Sequence, residues 1–409
     1  MRDDILMLAP TSFFSDYGCH VRILEEAAIL QERGYSQRVV TYHRGRDIPW
    51  LNIARIPDIP WGRGYAMGSS WHKLTFDTLL FFEAFLACRK QRPGLIHAFL
   101  HEGAWVGYAL SRLFGVPLVF DYQGSLTAEM VDHGFLRQGS PTYQALRRLE
   151  MGINNLPDAI ITSSAHAAVL LKESYGCRCQ TIVTVPDGVD ARRFSRAAAA
   201  DVLDLRRQLG LPSGGYIVTY LGKLAGYQGT ELLLEAGAIL CARRTDVHLL
   251  IMGYPCVEEY RAKAHSLGLA GRVTFAGRVP YELAPRYLAL ADVAVAPKLS
   301  ETEGHGKLLN YMAMGLPTVA FDTPVAREYL GHLGRYATSW DARSLADAVD
   351  SVLREQTEAR ALAWQLRERA MQHYSWRQAG DKIEQVYRTV QSPLAKGRVA
   401  ASCSGRVEV

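Results

Sequence analysis

Short apolar runs alternate with longer amphipathic stretches along almost the whole chain, and the apolar runs read as buried strands. In the first half they fall at 5–9, 36–42, 95–98, 117–121, 159–162 and 181–185. In the second half they fall at 216–221, 248–252, 273–276, 293–296, 318–321 and about 334–337. Near-continuous apolar strands separated by helical periodicity are the pattern of parallel sheets covered by helices on both faces. The predicted fold class is therefore α/β, with two Rossmann-like sheets in tandem.

The break between the sheets follows Pro186-Asp187-Gly188-Val189-Asp190 and Phe194, where an alanine run, a short charged helix and the breakers Pro212, Gly214 and Gly215 intervene. The predicted organisation is a first domain over 1–195, a linker over 196–215 and a second domain over 216–375. A helix over 376–391 returns to the first domain, and 392–409 form a disordered tail. Two such sheets leave a cleft, and ligands of open parallel sheets bind beyond the carboxyl ends of the strands.

The most informative stretch is 298–322. It reads as an acid-rich loop after a strand, a Gly304-His305-Gly306 turn, a helix over 307–314 stopped by Gly315 and Pro317, and another strand. Glycines at a helix start let backbone approach an anion closely, and the helix dipole favours negative charge there. Lys307, Asn310 and Met314 share one helix face, so a cation and an amide can line the same ligand. A second loop of the same kind runs from Gly222 through Lys223 to Gln228 and Gly229, ahead of a helix beginning at Thr230. Both lysine-bearing turns are expected at one diphosphate-sized site.

Polar groups at strand ends of the first half offer further candidates. His97 and His101-Glu102-Gly103 follow one strand, the latter expected on a loop; Asp121, Gln123 and Ser125 follow another. Both sets are expected to face the cleft. The first strand-to-helix loop, 11–18, contributes Asp16 and Gly18 as ligand-binding or anion-closing candidates, whereas Cys19 reads as structural.

Composition narrows the classes. Apolar residues make up 48% of the 409 positions, and net charge is +5 with scattered Lys and Arg, which argues against nucleic acid and leaves an anionic substrate or anionic bilayer open. Seven cysteines without scaffold spacing point to reduced thiols and a cytoplasmic setting. The start, Met1-Arg2-Asp3-Asp4, is unlike a signal peptide. The apolar helix over 74–88 carries Asp77 and Glu83 and is shorter than the roughly 20 residues a membrane span needs. Its flanks, with Trp61, Arg63, Tyr65, Trp71, His72, Lys73, Arg89, Lys90 and Arg92, suit either a core helix with a solvated rim or a peripheral contact on the inner membrane face.

The ordered segments 185–194, 220–236, 275–297, 303–322 and 374–387 together resemble the retaining glycosyltransferases of family four, with GT-B architecture. The resemblance implies two Rossmann-like domains facing each other across a cleft, a nucleoside-diphosphate sugar as co-substrate and no other cofactor or metal. The donor-side candidates are then Gly222, Gln228, Arg278, Val279, Gly304, His305, Gly306, Leu308 and Asn310, with Gln228 and Asn310 carried over by position, and on the acceptor side the resemblance adds Gln123 to the strand-end and first-loop candidates Asp16, Gly18, Glu102 and Asp121. Lys223, Lys307, Glu303 and His101 take the catalytic positions. Three positions depart from the family pattern: Gln228 replaces a cation, Asn310 an expected ribose-binding glutamate and Gln123 a strand-end histidine. Lys307 is placed to restore the missing cation.

The implied activity is retaining transfer of a sugar to a hydroxyl of a glycan, lipid-linked or small-molecule acceptor, with polysaccharide precursors among the candidates. The departures also fit a catalytically weak GT-B-like partner protein that binds sugar nucleotides or glycans. A nicotinamide oxidoreductase would need a Gly-x-Gly-x-x-Gly fingerprint after the first strand, which is missing.

Overall fold

The computed structural model describes residues 4–16, 18–58, 72–195 and 199–392. Met1-Arg2-Asp3, the flanking Trp61, Arg63, Tyr65 and Trp71, and the tail from Pro393 lie outside the described residues. The chain divides into two compact units, one built from the segments up to Ser15, Arg22–Pro186 and from Arg377 onward, the other from Asp16–Val21 and Asp187–Trp376.

The first unit holds a seven-stranded parallel sheet of β1 (Ile5–Ala9), β2 (Gln37–Thr41), β3 (Asn52–Arg55), β4 (Leu95–Phe99), β5 (Leu118–Tyr122), β6 (Ala159–Thr162) and β7 (Ile182–Thr184). Its order is β3-β2-β1-β4-β5-β6-β7, so the winding reverses between β1 and β4. β1 and β4 are buried at every position because helices cover both faces. Sequence periodicity missed β3. Only Ile53 and Ala54 of its four residues are apolar, and as an edge strand paired solely with β2 it stays half-exposed.

The second unit holds six parallel strands, β8 (Tyr216–Leu221), β9 (Val247–Met252), β10 (Val273–Gly277), β11 (Val293–Ala296), β12 (Thr318–Phe321) and β13 (Arg335–Ala337), in the order β10-β9-β8-β11-β12-β13. All six were legible as apolar runs. Val218, Tyr220, Leu249, Ile251, Val293, Val295, Val319 and Phe321 point to one face, where the Thr230–Arg243 and Ala342–Arg354 helices cover them. Each such side chain fully buried contributes on the order of 1.5–3 kcal/mol of hydrophobic stabilisation.

The apolar helix of the first unit spans His72–Lys90, and no described helix is long and apolar enough to cross a membrane. The loop expected around His101 and Glu102 does not exist. β4 ends at Phe99, Leu100 adopts a positive φ of 59°, and the Leu100–Phe114 helix begins at once. The Trp376–Gln391 helix belongs to the first unit, where Arg33 pairs with its Asp381 and Glu384. Cys19, Cys88, Cys177, Cys179, Cys241 and Cys256 are thiols, with no disulfide among the described residues.

Candidate active site

In the second unit the winding reverses between β8 and β11, which pair in parallel through Val293 and Val218. Chain leaving β8 turns toward β9, and chain leaving β11 turns toward β12. Strand-end loops therefore diverge over a crevice, the position where open α/β sheets bind ligands.

The two lysine-bearing turns meet there. Gly229 lies against the Pro297 carbonyl oxygen at φ 72°, an approach and a backbone conformation that demand glycine. The Leu299 amide donates to the Tyr227 carbonyl at 3.0 Å, which ties the loop after β11 to the loop after β8. Gly222 leaves room for Lys307, whose Nζ would lie 2.7 Å from a Cβ added there.

Lys307 occupies the first turn of the Gly306–Ala313 helix, whose start no side chain caps. Its ammonium donates to Gln228 Oε1 at 2.9 Å and to the Tyr220 hydroxyl at 3.1 Å, and lies 4.2 Å from the Tyr220 ring centroid. The structure half-buries this lysine. Burial, reinforced by the nearby Lys298 charge, pushes its pKa well below the usual lysine range. Gln228, where the family pattern expects a cation, instead accepts from one. Lys223 is half-buried on the same loop, with Nζ 5.3 Å from the Tyr227 ring centroid, and its own carbonyl accepts from the Tyr220 hydroxyl at 2.7 Å.

His305 precedes the helix. It is 4% exposed, and its Nε2 has no hydrogen-bond partner among the described residues. Burial first, then the Lys298 and Lys307 charges, hold it well below the ordinary histidine value, so the ring is neutral at physiological pH. Gly306 sits against the Asp187 carboxylate. Glu303, given a catalytic position by the sequence reading, pairs with Lys298 at 2.7 Å, and Lys298 also donates to the Gly304 carbonyl at 2.7 Å. Asn310 is half-buried on the helix. Leu308 does not join the site: its side chain is fully buried, and its amide already donates to the His305 carbonyl at 2.9 Å. Val279 is likewise 6% exposed and packed inward. Arg278 and Asp16, expected on opposite ligands, bind one another: Asp16 Oδ2 accepts from Arg278 Nη2 at 2.6 Å and Nε at 3.0 Å, and Oδ1 accepts from the Tyr281 amide. Gly18 opens its helix with nothing near its α-carbon that a side chain would meet.

Strand-end groups of the first unit are arranged differently. Asp121 is fully buried and receives three hydrogen bonds from Arg22 at 2.8–3.1 Å; Arg22 also pairs with Glu26 and donates to the Val185 carbonyl. Its carboxylate is therefore not presented to an acceptor. His97 is fully buried, with Nδ1 2.6 Å from the Tyr387 hydroxyl and its pKa lowered by burial to about 4. Glu26, His97 and Asp121 offer ligand atoms within 4.8 Å of one another, but the Arg22 guanidinium already engages both carboxylates, so the cluster does not fit a further cation. His101 is boxed by Phe120 and Tyr122, with centroids at 5.2 and 5.5 Å, and Glu102 pairs with Lys73. Ser125 caps the Leu126–Asp132 helix. Of this set, Gln123 keeps a half-buried side chain at a strand end, its amide nitrogen without a hydrogen-bond partner among the described residues.

Sequence reasoning missed Lys298, Tyr220 and Tyr311. Tyr311 is buried, and its hydroxyl accepts from the Leu221 amide at 2.8 Å, pinning the helix to the end of β8. The signal for Tyr220 was available: it is a strand residue of the core-facing parity whose polar tip reaches the strand's carboxyl end.

Against known proteins, residues 17–188 match the model of the glycosyl transferase 4-like domain, and residues 201–372 match that of glycosyl transferases group 1. The D-inositol 3-phosphate glycosyltransferase of Corynebacterium urealyticum is 28% identical over 81% of this chain and 80% of its own. The 2-deoxystreptamine glucosyltransferase of Streptomyces kanamyceticus is 27% identical over 74% of this chain and 80% of its own. Among solved structures, sucrose-phosphate synthase from Thermosynechococcus elongatus superposes with a TM-score of 0.81 at 22% identity, covering 95% of this chain and 99% of that one. HepE of Anabaena, solved in complex with UDP-glucose, gives 0.76 at 18% identity, with 95% and 100% covered. With both halves of the chain matched and both sheets present, this protein belongs to the glycosyl transferases group 1 and is a glycosyltransferase of GT-B fold.

Proposed function

We propose that this glycosyltransferase moves a sugar from a nucleoside-diphosphate sugar to a hydroxyl of a small polyol acceptor, with retention of anomeric configuration. The observation that carries the donor reading is Lys307: an ammonium depressed in pKa, held by Gln228 and Tyr220 at an uncapped helix start, in the crevice over β8 and β11. A lysine so placed gains most when a diphosphate arrives, because the anion restores the charge that burial disfavours. Lys307 and the turn at Gly304–Gly306 would stabilise charge growing on the leaving diphosphate, with Lys223 beside them on the neighbouring loop. The neutral His305 ring and Asn310 offer hydrogen bonds to donor hydroxyls. Glu303, through Lys298, holds the turn in shape.

In the proposed step the acceptor oxygen bonds to the anomeric carbon as the carbon–oxygen bond to phosphate breaks, and the acceptor's proton passes to an oxygen of the departing diphosphate on the same face. No protein nucleophile is required. The small-polyol acceptor rests on the names of the inositol phosphate and deoxystreptamine relatives. A lipid-linked acceptor is the second reading, favoured by the exposed apolar side chains on the His72–Lys90 helix of the first unit.

The test is incubation with radiolabelled UDP-, GDP- and ADP-sugars and a panel of cyclitol, cyclitol phosphate and lipid-linked acceptors, with the product anomer assigned by NMR. Transfer giving the donor's anomeric configuration is the expected result. An inverted product would remove the same-face step, and binding without hydrolysis or transfer of any donor would remove the proposed reaction.

A further inference from the structure

The two helices on one face of the first sheet have an outer surface that the glycosyl-transfer chemistry leaves unused. The His72–Lys90 and Leu100–Phe114 helices share a core with Leu6, Leu8, Val40, Ile96, Ala98 and Leu118, all on one side of the sheet, and touch each other through Phe85 and Phe114, with ring centroids 5.6 Å apart. Packed side by side, they turn their outer faces the same way.

That outer face is inverted in character. Leu74, Phe82 and Leu86 fall at multiples of four residues on the first helix and are 67%, 56% and 59% exposed; on the second helix Trp105 and Leu113 are more than half exposed. Large apolar groups at such spacing on solvated positions are not explained by the core, which the opposite stripe of Phe76, Leu80, Ala84 and Ala87 already fills. The exposed charges that the two helices themselves carry have one sign: Arg89 and Lys90 at the end of the first helix, followed just beyond it by Arg92, and Arg112 on the second. Neither helix carries a carboxylate at an exposed position. Asp77 and Glu83 are half-buried, Glu102 is paired with Lys73, and burial raises Asp77 to about 7 beside the Tyr42 hydroxyl.

We propose that this two-helix face seats the protein on an anionic bilayer surface. Leu74, Phe82, Leu86 and Trp105 enter the interface between headgroups and acyl chains, while Arg89, Lys90 and Arg112 meet lipid phosphates. Charge complementarity decides the occupant: a second copy of the same face would set these cations against one another, whereas an anionic lipid surface neutralises them.

The experiment is co-sedimentation of the full chain with phosphatidylcholine vesicles, with and without phosphatidylglycerol, at low and high salt. Binding is expected only with phosphatidylglycerol present and to weaken with salt. The exposed-site pair Phe82→Ser with Leu86→Ser should reduce it about tenfold or more, and the charge reversal Arg89→Glu with Lys90→Glu should abolish it, with melting temperatures unchanged. As a readout independent of those variants, brominated lipid should quench the tryptophan fluorescence of the wild type more than that of Trp105→Phe. The proposal is overturned if the wild type ignores both vesicles, if it binds neutral and anionic vesicles alike, or if it is a dimer that the Phe82 and Leu86 changes dissociate without any vesicle binding. None of these outcomes touches transfer to a soluble acceptor.

Discussion

The carboxyl ends of β8 and β11 in the second unit and of β4 and β5 in the first carry the same ingredients, a histidine, a carboxylate and a cation close to a strand end. Their fates differ. In the second unit Lys307 is half-buried on neutral partners, Gln228 and Tyr220, so its charge has capacity left for an anion. In the first unit Arg22 spends its guanidinium on Asp121, Glu26 and the Val185 carbonyl, and His97 is tied to Tyr387. Polar residues at the ends of parallel strands thus serve either a ligand or the fold, and what separates the two is whether opposite charges have already been matched inside the protein.

Breaking the matched cluster should have the largest effect on the fold. Arg22→Ala leaves the Asp121 and Glu26 carboxylates buried without their guanidinium and should cost about 3–5 kcal/mol of stability, read from urea unfolding midpoints. The combined replacement of Arg22→Met with Asp121→Asn and Glu26→Gln should recover much of that loss, since it removes the guanidinium together with both of its buried carboxylate partners. An Arg22→Ala protein that kept its stability but lost transfer would instead move Arg22 into the reaction.

The opposite split is expected for Lys307. Lys307→Met should lower kcat/KM about 100- to 1000-fold, the scale for removing one group that stabilises transition-state charge. Melting temperature should hold or rise, because a depressed lysine pKa means the folded state disfavours the charged form. The sign extends to binding. Above the lowered pKa the free protein holds Lys307 neutral, so a nucleoside diphosphate must bring a proton with it. Affinity should fall as pH rises from the depressed value toward the ordinary lysine range, by up to tenfold per pH unit, and calorimetry in buffers of different ionisation enthalpy should show proton uptake. A pH-independent affinity, with no proton uptake, would mean that Lys307 does not meet the diphosphate.

The contrast also marks how far sequence reasoning reached. All six strands of the second sheet, the Thr230 helix start and the glycine turns were readable because each rests on local rules, apolar runs and glycine at positive φ. Contact between the two turns was expected from their shared place at strand ends, and Gly229 against Pro297 supplies it. Partners distant in sequence were not readable. Nothing local to Asp121 reveals Arg22, 99 residues away, and nothing local to His97 reveals Tyr387, 290 residues away. Without those partners, buried ionic groups at a strand end look the same as ligand-facing ones. Leu308 failed for a simpler reason: in a short amphipathic helix the residue next to the ligand-side lysine already faces the core.

The smallest effect sharpens the same contrast from within the buried cluster. Tyr387→Phe deletes one hydroxyl, 2.6 Å from His97 Nδ1 and fully enclosed, and should cost on the order of 1–3 kcal/mol near neutral pH because a buried polar nitrogen loses its partner. Burial lowers His97 to about 4 in the folded protein against an ordinary value of 6.5, so the unfolded chain binds a proton that the folded one refuses as pH falls through that interval. His97 therefore withdraws stability between pH 6.5 and about 4. In the Tyr387→Phe protein the ring loses its tie to the hydroxyl and stands with Nε2 3.8 Å from Glu26 and 3.9 Å from Asp121, carboxylates that favour its protonated form. Its pKa should rise, and the penalty of the substitution should shrink as parallel urea titrations move from neutral toward mildly acidic pH. A penalty that stayed constant or grew toward acid would show that Tyr387 acts by packing alone and that His97 takes no part in the charge balance of the cluster.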